Sequence, residues 1–279
     1  MLVWQQQLPR HLVGPQAMNV TRWPAEAIWE AVFAVLPGFS VEVLPEIDST
    51  NSELMRRARA GQCEPVLLVA ERQTAGRGRL GRDWQSDTQG DGGTLTFSLG
   101  LPLQPADWSG LSLAVGLSVV QSLHPELQLK WPNDVWWQGR KLAGILIETA
   151  SAGTQRYAVI GVGINITPRK GDGLRTPPAA LQELLPEVDA PEVLHRVIAP
   201  LVQAVLTFAT EGFAPLRSAY QARDLLAGQA VVCTDGTQGT ALGVDASGVL
   251  LVDTGAGTVR INSAEVSVRP VSAPPLNPS

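Results

Sequence analysis

Residues 73–84 read Gln-Thr-Ala-Gly-Arg-Gly-Arg-Leu-Gly-Arg-Asp-Trp. Glycines in such a loop let the backbone approach a ligand closely. Arg77, Arg79 and Arg82 offer planar forks that match phosphate or carboxylate oxygens, and Trp84 offers an aromatic face. The set suits an anionic nucleotide; the bland alternative is a solvated loop with incidental arginines. The spacing Gly76-x-Gly78-x-x-Gly81 is formally a dinucleotide fingerprint. That fingerprint must open a helix whose N-terminus meets the pyrophosphate. Here a polar Gly/Asp stretch and then a strand follow, so the dinucleotide reading is rejected.

A second segment runs Lys130-Trp-Pro-Asn-Asp-Val-Trp-Trp-Gln-Gly-Arg-Lys141-Leu-Ala-Gly144. The chain holds eighteen arginines and three lysines, and two of those lysines bracket this segment. Base composition of the genome accounts for the skew, yet a retained lysine suits a site that needs a compact ammonium. A turn between Lys130 and Lys141 lets both face one site. Asn133 and Asp134 are able to orient a polar group or a hydrated Mg²⁺. The alternative is a hairpin with exposed charges, and Trp131, Trp136 and Trp137 suit core or interface better than ligand stacking. A third segment, Gly161-Val-Gly163-Ile-Asn165, places small residues where a backbone is approached closely. Asn165 is its only polar side chain and needs a partner if buried. No Ser-His-Asp set, carboxylate pair or thiol nucleophile stands out. The residues point to catalysis by fixed positive charge rather than by a covalent intermediate on the protein.

The elements that must hold these segments follow from composition and period. Of 279 residues, 44% are apolar and 17% charged, with mean hydropathy +0.07, a globular composition that excludes disorder throughout, coiled coil and collagen. Apolar stretches are interrupted before the ~20 residues of a membrane span, and the N-terminus lacks the pattern of a signal peptide. A net charge of −5 argues against a general nucleic-acid binder. Two cysteines without CxxC spacing, and three histidines without paired spacing, make a structural zinc site or disulfide framework improbable.

Periodicity predicts a helix over 24–36, a strand over 41–47, and a helix to Ala60 capped by a Thr50/Glu53 capping box and closed by Gly61. Strands are predicted over 65–72 and the Thr94–Leu101 stretch, then a buried helix over 107–123 and short strands through 166. A loop over 167–178 and a helical region over 180–224 with proline interruptions follow. After Gly228, five short strands with Asp-Gly and Ser-Gly turns predict a small β-barrel. The predicted organisation is an extension with one helix (1–40), a catalytic domain (41–227), a barrel (228–270) and a disordered tail (271–279). Met18 is a candidate alternative start.

Ser49-Thr50-Asn51, the loop QTAGRGRLGRDW, the segment KWPNDVWWQGRKLAGILIE and GVGIN resemble, in this order, the motifs of biotin protein ligases, over roughly residues 41–270. The resemblance implies a mixed α/β catalytic domain of the biotin/lipoate ligase type followed by an SH3-like barrel. It implies a two-step reaction: biotin and Mg-ATP give biotinyl-5′-adenylate and pyrophosphate, then a lysine of a biotin carboxyl carrier protein takes the biotin and AMP leaves. By the same resemblance Ser49, Thr50, Asn51 and Gln73 form the polar wall around biotin. Arg77, Gly78 and Arg79 belong to the loop that orders over biotin and phosphate. Lys141 contacts the biotin carboxyl and α-phosphate, and Gly144 gives backbone access. Trp84, Asn133 and Asn165 fall on the nucleotide side, and Asp134 is a Mg²⁺ candidate.

Departures from the family pattern set further expectations. Only about forty residues precede the catalytic strand, too few for a winged helix-turn-helix, so no operator binding is expected. The loop over 167–177 lacks an aromatic residue for an adenine platform, and Leu80 has no assigned role. A lipoate or octanoate transferase is the competing enzyme, with a non-transferring biotin or adenylate sensor and a pure scaffold as non-enzymatic alternatives. KWPND together with KLAGIL favours biotin over lipoate. No membrane partner is expected, a homodimer is possible by sheet pairing, and the location expected is cytoplasmic.

Overall fold

The computed structural model describes residues 21–84, 93–152, 155–169, 178–262 and 268–270. The expectations for residues 1–20, for most of the 167–177 loop and for the tail lie outside the described residues. Helix α1 (Ala25–Val32) precedes β1 (Ser40–Ile47), α2 (Thr50–Arg59), β2 (Val66–Gln73) and β3 (Thr94–Pro102). Then come α3 (Leu111–Leu123), β4 (Gln128–Lys130), β5 (Asp134–Trp137), β6 (Arg140–Ala152) and β7 (Gln155–Asn165). Helices α4 (Ala190–Glu211) and α5 (Arg217–Gln221) lead to β8 (Ala230–Cys233), β9 (Gln238–Val244), β10 (Leu250–Asp253), β11 (Thr258–Ile261) and β12 (Val268–Pro270).

Seven strands form one mixed sheet in the order β1-β2-β3-β7-β6-β5-β4. The β1–β2 pair is parallel, with α2 as its crossover, and every other pair is antiparallel. The apolar runs of β2, β3 and β7 bury both faces, as continuous rather than alternating apolar strands should. On one face Leu67, Val69, Leu95, Phe97, Ile160 and Val162 pack with α1, α3 and α4. On the other, Leu54, Met55 and Ala58 of α2 pack on Val66, Leu68, Tyr157 and Val159. Gln138 and Gly139, both at positive φ, close the β5–β6 hairpin as the Gln-Gly turn requires.

Three local expectations are corrected. Ser49, not Thr50, caps α2: its backbone is extended and its Oγ accepts from Ser52 N–H. Thr50 lies inside the helix with its side chain on Gln73, and Glu53 is spent on Arg56 and Arg57. Helix α3 starts four residues later than predicted, after a left-handed Gly110. Helix α4 continues through Pro200, and by length and composition it is the one described helix able to cross a membrane. Its Val193, Leu194, Val197, Ile198, Leu201, Val202, Val205 and Phe208 are instead buried in the fold, which makes it a core helix.

Strands β8–β12 form a separate five-stranded antiparallel sheet in the order β11-β10-β9-β8-β12, the predicted barrel strands. Both thiols, Cys63 and Cys233, are free. At the junction with the catalytic sheet, Leu129 N–H donates to Arg223 carbonyl and Leu225 N–H to Leu129 carbonyl. Asp224 sits there with Oδ1 accepting from Leu226 N–H and, among the described residues, Oδ2 buried without a side-chain partner. Burial raises its carboxyl from 3.8 to about 6. The folded state therefore binds the extra proton, and stability falls as pH rises from about 4 to about 6. Asp224→Asn keeps an Oδ1 acceptor and removes the buried charge. It is expected to raise the melting temperature at pH 7, with the gain shrinking towards pH 4, as thermal melts across that range will show.

Candidate functional site

The cleft lies on the α2 face of the large sheet, beyond the N-terminus of α2. Its floor is made of small residues that the strand registers bring together. Thr96 and Gly144 flank Gly163, and Ser98 and Leu146 flank Gly161, on the three central strands. A Cβ on Gly161 would stand 2.1 Å from Asn51 Oδ1, and one on Gly163 would stand 2.4 Å from Trp84 Cε2. Both positions exclude a side chain because another residue's polar or aromatic group already occupies the space.

One wall is a polar network at the start of α2. Ser49, Thr50 and Asn51 are all buried. Gln73 Oε1 accepts from Thr50 N–H at 2.7 Å and lies 3.1 Å from Thr50 Oγ1. Ser98 Oγ bridges Thr50 Oγ1 at 2.7 Å and Asn51 Oδ1 at 2.6 Å. Asn51 Nδ2 donates to Leu146 carbonyl and to Glu148 Oε2. Buried polar groups satisfied in this way form a rigid surface.

The opposite wall is the Gly/Arg loop and the β5–β6 hairpin. Gly78 N–H donates to Arg82 carbonyl and Trp84 N–H to Gly76 carbonyl, so the loop folds on itself into a single short turn over Arg79–Gly81 rather than a helix. The exclusion of a dinucleotide fold thus agrees with the backbone. Leu80 takes the left-handed conformation at that turn, and nothing in the structure gives its side chain a role. Arg79 points inward, its Nη1 donating to Asn133 Oδ1 at 3.3 Å, and burial pulls its guanidinium below the usual arginine value. Arg77 points the other way, half exposed and 3.1 Å from Glu148. Lys141 Nζ stands 2.7 Å from Asp134 Oδ1 and 5.9 Å from the centre of the Trp84 ring. Among the described residues Trp84 Nε1 is buried without a hydrogen-bond partner. A donor left so costs about 1–3 kcal/mol, which an acceptor on a ligand would relieve.

Ser49, Thr50, Asn51, Gln73, Arg77, Gly78, Arg79, Trp84, Asn133, Asp134, Lys141 and Gly144 all line this one cleft. Asn165 does not. It is buried at the end of β7, donating to Lys141 carbonyl and accepting from Arg169, so it braces the backbone of Lys141 from behind. Its need for partners is met inside the protein. The cleft encloses about 180 Å³, small beside pockets of roughly 300–1,000 Å³, because the Trp84 indole lies across the glycine floor.

Three contributors, Arg269, Ser98 and Glu148, are not singled out in the sequence, whereas Lys130 is named there beside Lys141. Lys130 lines the cleft, donates to Val268 carbonyl at 2.8 Å and lies over the Trp136 ring, and burial lowers its ammonium below the usual lysine value. The expectation that Lys130 and Lys141 face one site agrees with their place in the same cleft. Arg269 reaches the cleft from β12 of the second sheet, which no local pattern announces. Ser98 and Glu148 are polar residues inside apolar strands, and that interruption was the readable clue. Among the described residues no three acidic, His or Cys side chains cluster to hold a metal.

Residues 43–165 match the biotin/lipoate A/B protein ligase family, and residues 228–269 match the biotin protein ligase C-terminal domain. A biotin–[acetyl-CoA-carboxylase] ligase of Mycobacterium tuberculosis is 36% identical over 81% of this chain and 88% of its own length. The chain belongs to the biotin protein ligase family. A ligase of the same name from Paracoccus denitrificans is 35% identical over 80% of this chain and 98% of its own. Among solved structures, the biotin protein ligase from Aquifex aeolicus in complex with biotin and ATP is 30% identical. It covers 83% of this chain and 99% of its own, with a TM-score of 0.72. This family member therefore carries both a mixed α/β sheet and a second antiparallel sheet over the matched C-terminal domain.

Proposed function

We propose that this chain joins biotin to ATP as biotinyl-5′-adenylate and then passes the biotin to a lysine of a biotin carboxyl carrier protein. The observation that carries the reading is the convergence of Lys141 and Arg79 on a rigid polar wall across a floor opened by Gly144, Gly161 and Gly163. In the first step a biotin carboxylate oxygen attacks the α-phosphorus and the bond to the β-phosphate breaks. Negative charge grows on the phosphoryl oxygens, and an ammonium and a guanidinium already fixed in the cleft stabilise it without reorganising. Asp134 holds the Lys141 ammonium in place, and Asn133 holds Arg79. In the second step the carrier's amine attacks the acyl carbon and AMP departs, taking the bonding pair. Seen from the wall, Ser49, Thr50, Asn51 and Gln73 suit the ureido group, while the unpartnered Trp84 N–H suits an acceptor on the adenylate.

Mg²⁺ enters as part of the nucleotide substrate. A hydrated Mg²⁺ on phosphates asks for one or two carboxylates, and Asp134 is the carboxylate that pairs with Lys141. Its pairing to that lysine makes it a shared partner rather than a cage.

Biotin-dependent exchange of pyrophosphate into ATP tests the reading. Exchange is expected with biotin and not with lipoate; exchange with lipoate alone would move the chain to the sister activity. A Gly161→Ala variant is expected to weaken biotin binding by about tenfold or more, since displacing Asn51 forfeits hydrogen bonds worth about 0.5–1.5 kcal/mol each. Isothermal titration with biotin measures it.

A further inference from the structure

We infer that Glu148 is a positioning residue for the biotin side of the site, acting through Asn51 and Arg77; the inference rests on the reading above. Glu148 stands on β6 two residues beyond Leu146, its side chain 22% exposed. Its two oxygens do different work. Oε2 accepts from Asn51 Nδ2 at 3.1 Å, and Oε1 accepts from Arg77 Nη2 at 3.1 Å. A carboxylate alone among side chains offers acceptors on both arms.

The first contact sets the sense of the Asn51 amide. An amide can present either its oxygen or its nitrogen to a neighbour. A carboxylate accepts only, so Nδ2 turns to Glu148 and Leu146 carbonyl, and Oδ1 turns to Ser98 Oγ at 2.6 Å. The order of donors and acceptors along Gln73, Thr50, Ser98 and Asn51 is thereby fixed before a ligand arrives. The second contact ties the Gly/Arg loop to the same carboxylate, with Ser52 Oγ 3.4 Å from Arg77 Nη1. One side chain thus holds both the wall and the loop that faces it. Arg77 serves the site as the loop's tether, while Arg79, at the start of the Arg79–Gly81 turn, faces the cleft.

Glu148→Gln separates this role from mere packing. Glutamine has the same shape but one acceptor, so it can satisfy Asn51 or Arg77 and must present an N–H₂ to the other donor. In biotin-dependent pyrophosphate exchange, the KM for biotin is expected to rise about tenfold, with kcat and the KM for ATP within twofold of the parent. Arg77→Met should raise the same KM, and the double variant should be less than additive, because both changes break one link. Glu148→Asp, which keeps both acceptors, should recover part of the loss. An unchanged KM for biotin in Glu148→Gln, or an equal fall along both substrates, would overturn the inference. So would full additivity with Arg77→Met. Absence of biotin-dependent exchange in the parent chain would instead overturn the functional reading, and the inference with it.

Discussion

Replacing Lys141 by alanine is expected to slow formation of biotinyl-adenylate by about 10²–10³-fold, the loss typical of removing one preorganised charge from a developing oxyanion. The size follows from the setting. Lys141 is held 2.7 Å from Asp134 and against the Trp84 ring, and its backbone is braced by Asn165 and by Ala179 N–H. Its charge is in place before the reaction begins, so removing it costs transition-state stabilisation more than substrate affinity. Alanine also leaves Asp134 without its 2.7 Å ion pair, which adds repulsion towards the incoming phosphates. Single-turnover adenylation should therefore fall in rate while the Kd for biotin stays within a few fold. Chemically prepared adenylate, supplied to the variant, should still pass to a carrier domain at a rate closer to that of the parent.

Replacing Arg79 by alanine is expected to release the adenylate about 10- to 100-fold faster, the loss of one or two charge-assisted hydrogen bonds of about 1.5–3 kcal/mol. Arg79 is the desolvated, inward-facing arginine of the loop, fixed by Asn133, which is itself fixed by its bond to Ile145 carbonyl at 2.7 Å. Arg79→Lys should not restore retention, because an ammonium lacks the planar fork. Stopped-flow dilution of preformed adenylate reads the off-rate directly. The parallel change at Arg77 acts through a different contact, the Glu148 tether, and is expected to loosen the biotin side first.

The sequence made the site legible to an unusual degree because its chemistry is carried by short contiguous runs. The Gly/Arg loop, the Lys130–Gly144 segment and the α2 entry each hold several of the lining residues, so motif order alone assembled most of one cleft. What stayed hidden depends on strand register. Gly161 stands under Asn51, and Gly163 under Trp84, only because β3, β7 and β6 pair as they do. Glu148 reads as an ordinary polar position in an apolar strand until that register brings it beside Asn51. Arg269 belongs to the other sheet, and nothing local says that it turns towards the cleft. The cap of α2 falls on Ser49 rather than Thr50, although both are good N-caps, because the β2 residue Gln73 engages Thr50. Asn165, which the resemblance puts on the nucleotide side, bonds Lys141 carbonyl and Arg169 through contacts that only the folded chain brings together. The start of α3 slipped because Gly110 at positive φ breaks the helical run that periodicity alone extends to Asp107.

The most direct test of the central claim is a chase from adenylate to carrier. Purified protein is mixed with Mg²⁺, ATP and biotin, the acyl-adenylate is identified by mass spectrometry, and a lysine-containing carrier domain is then added without free biotin. The account predicts biotinyl-adenylate that disappears as biotin appears on the carrier lysine. An adenylate of lipoate but not of biotin, or no adenylate with either acid, would contradict it.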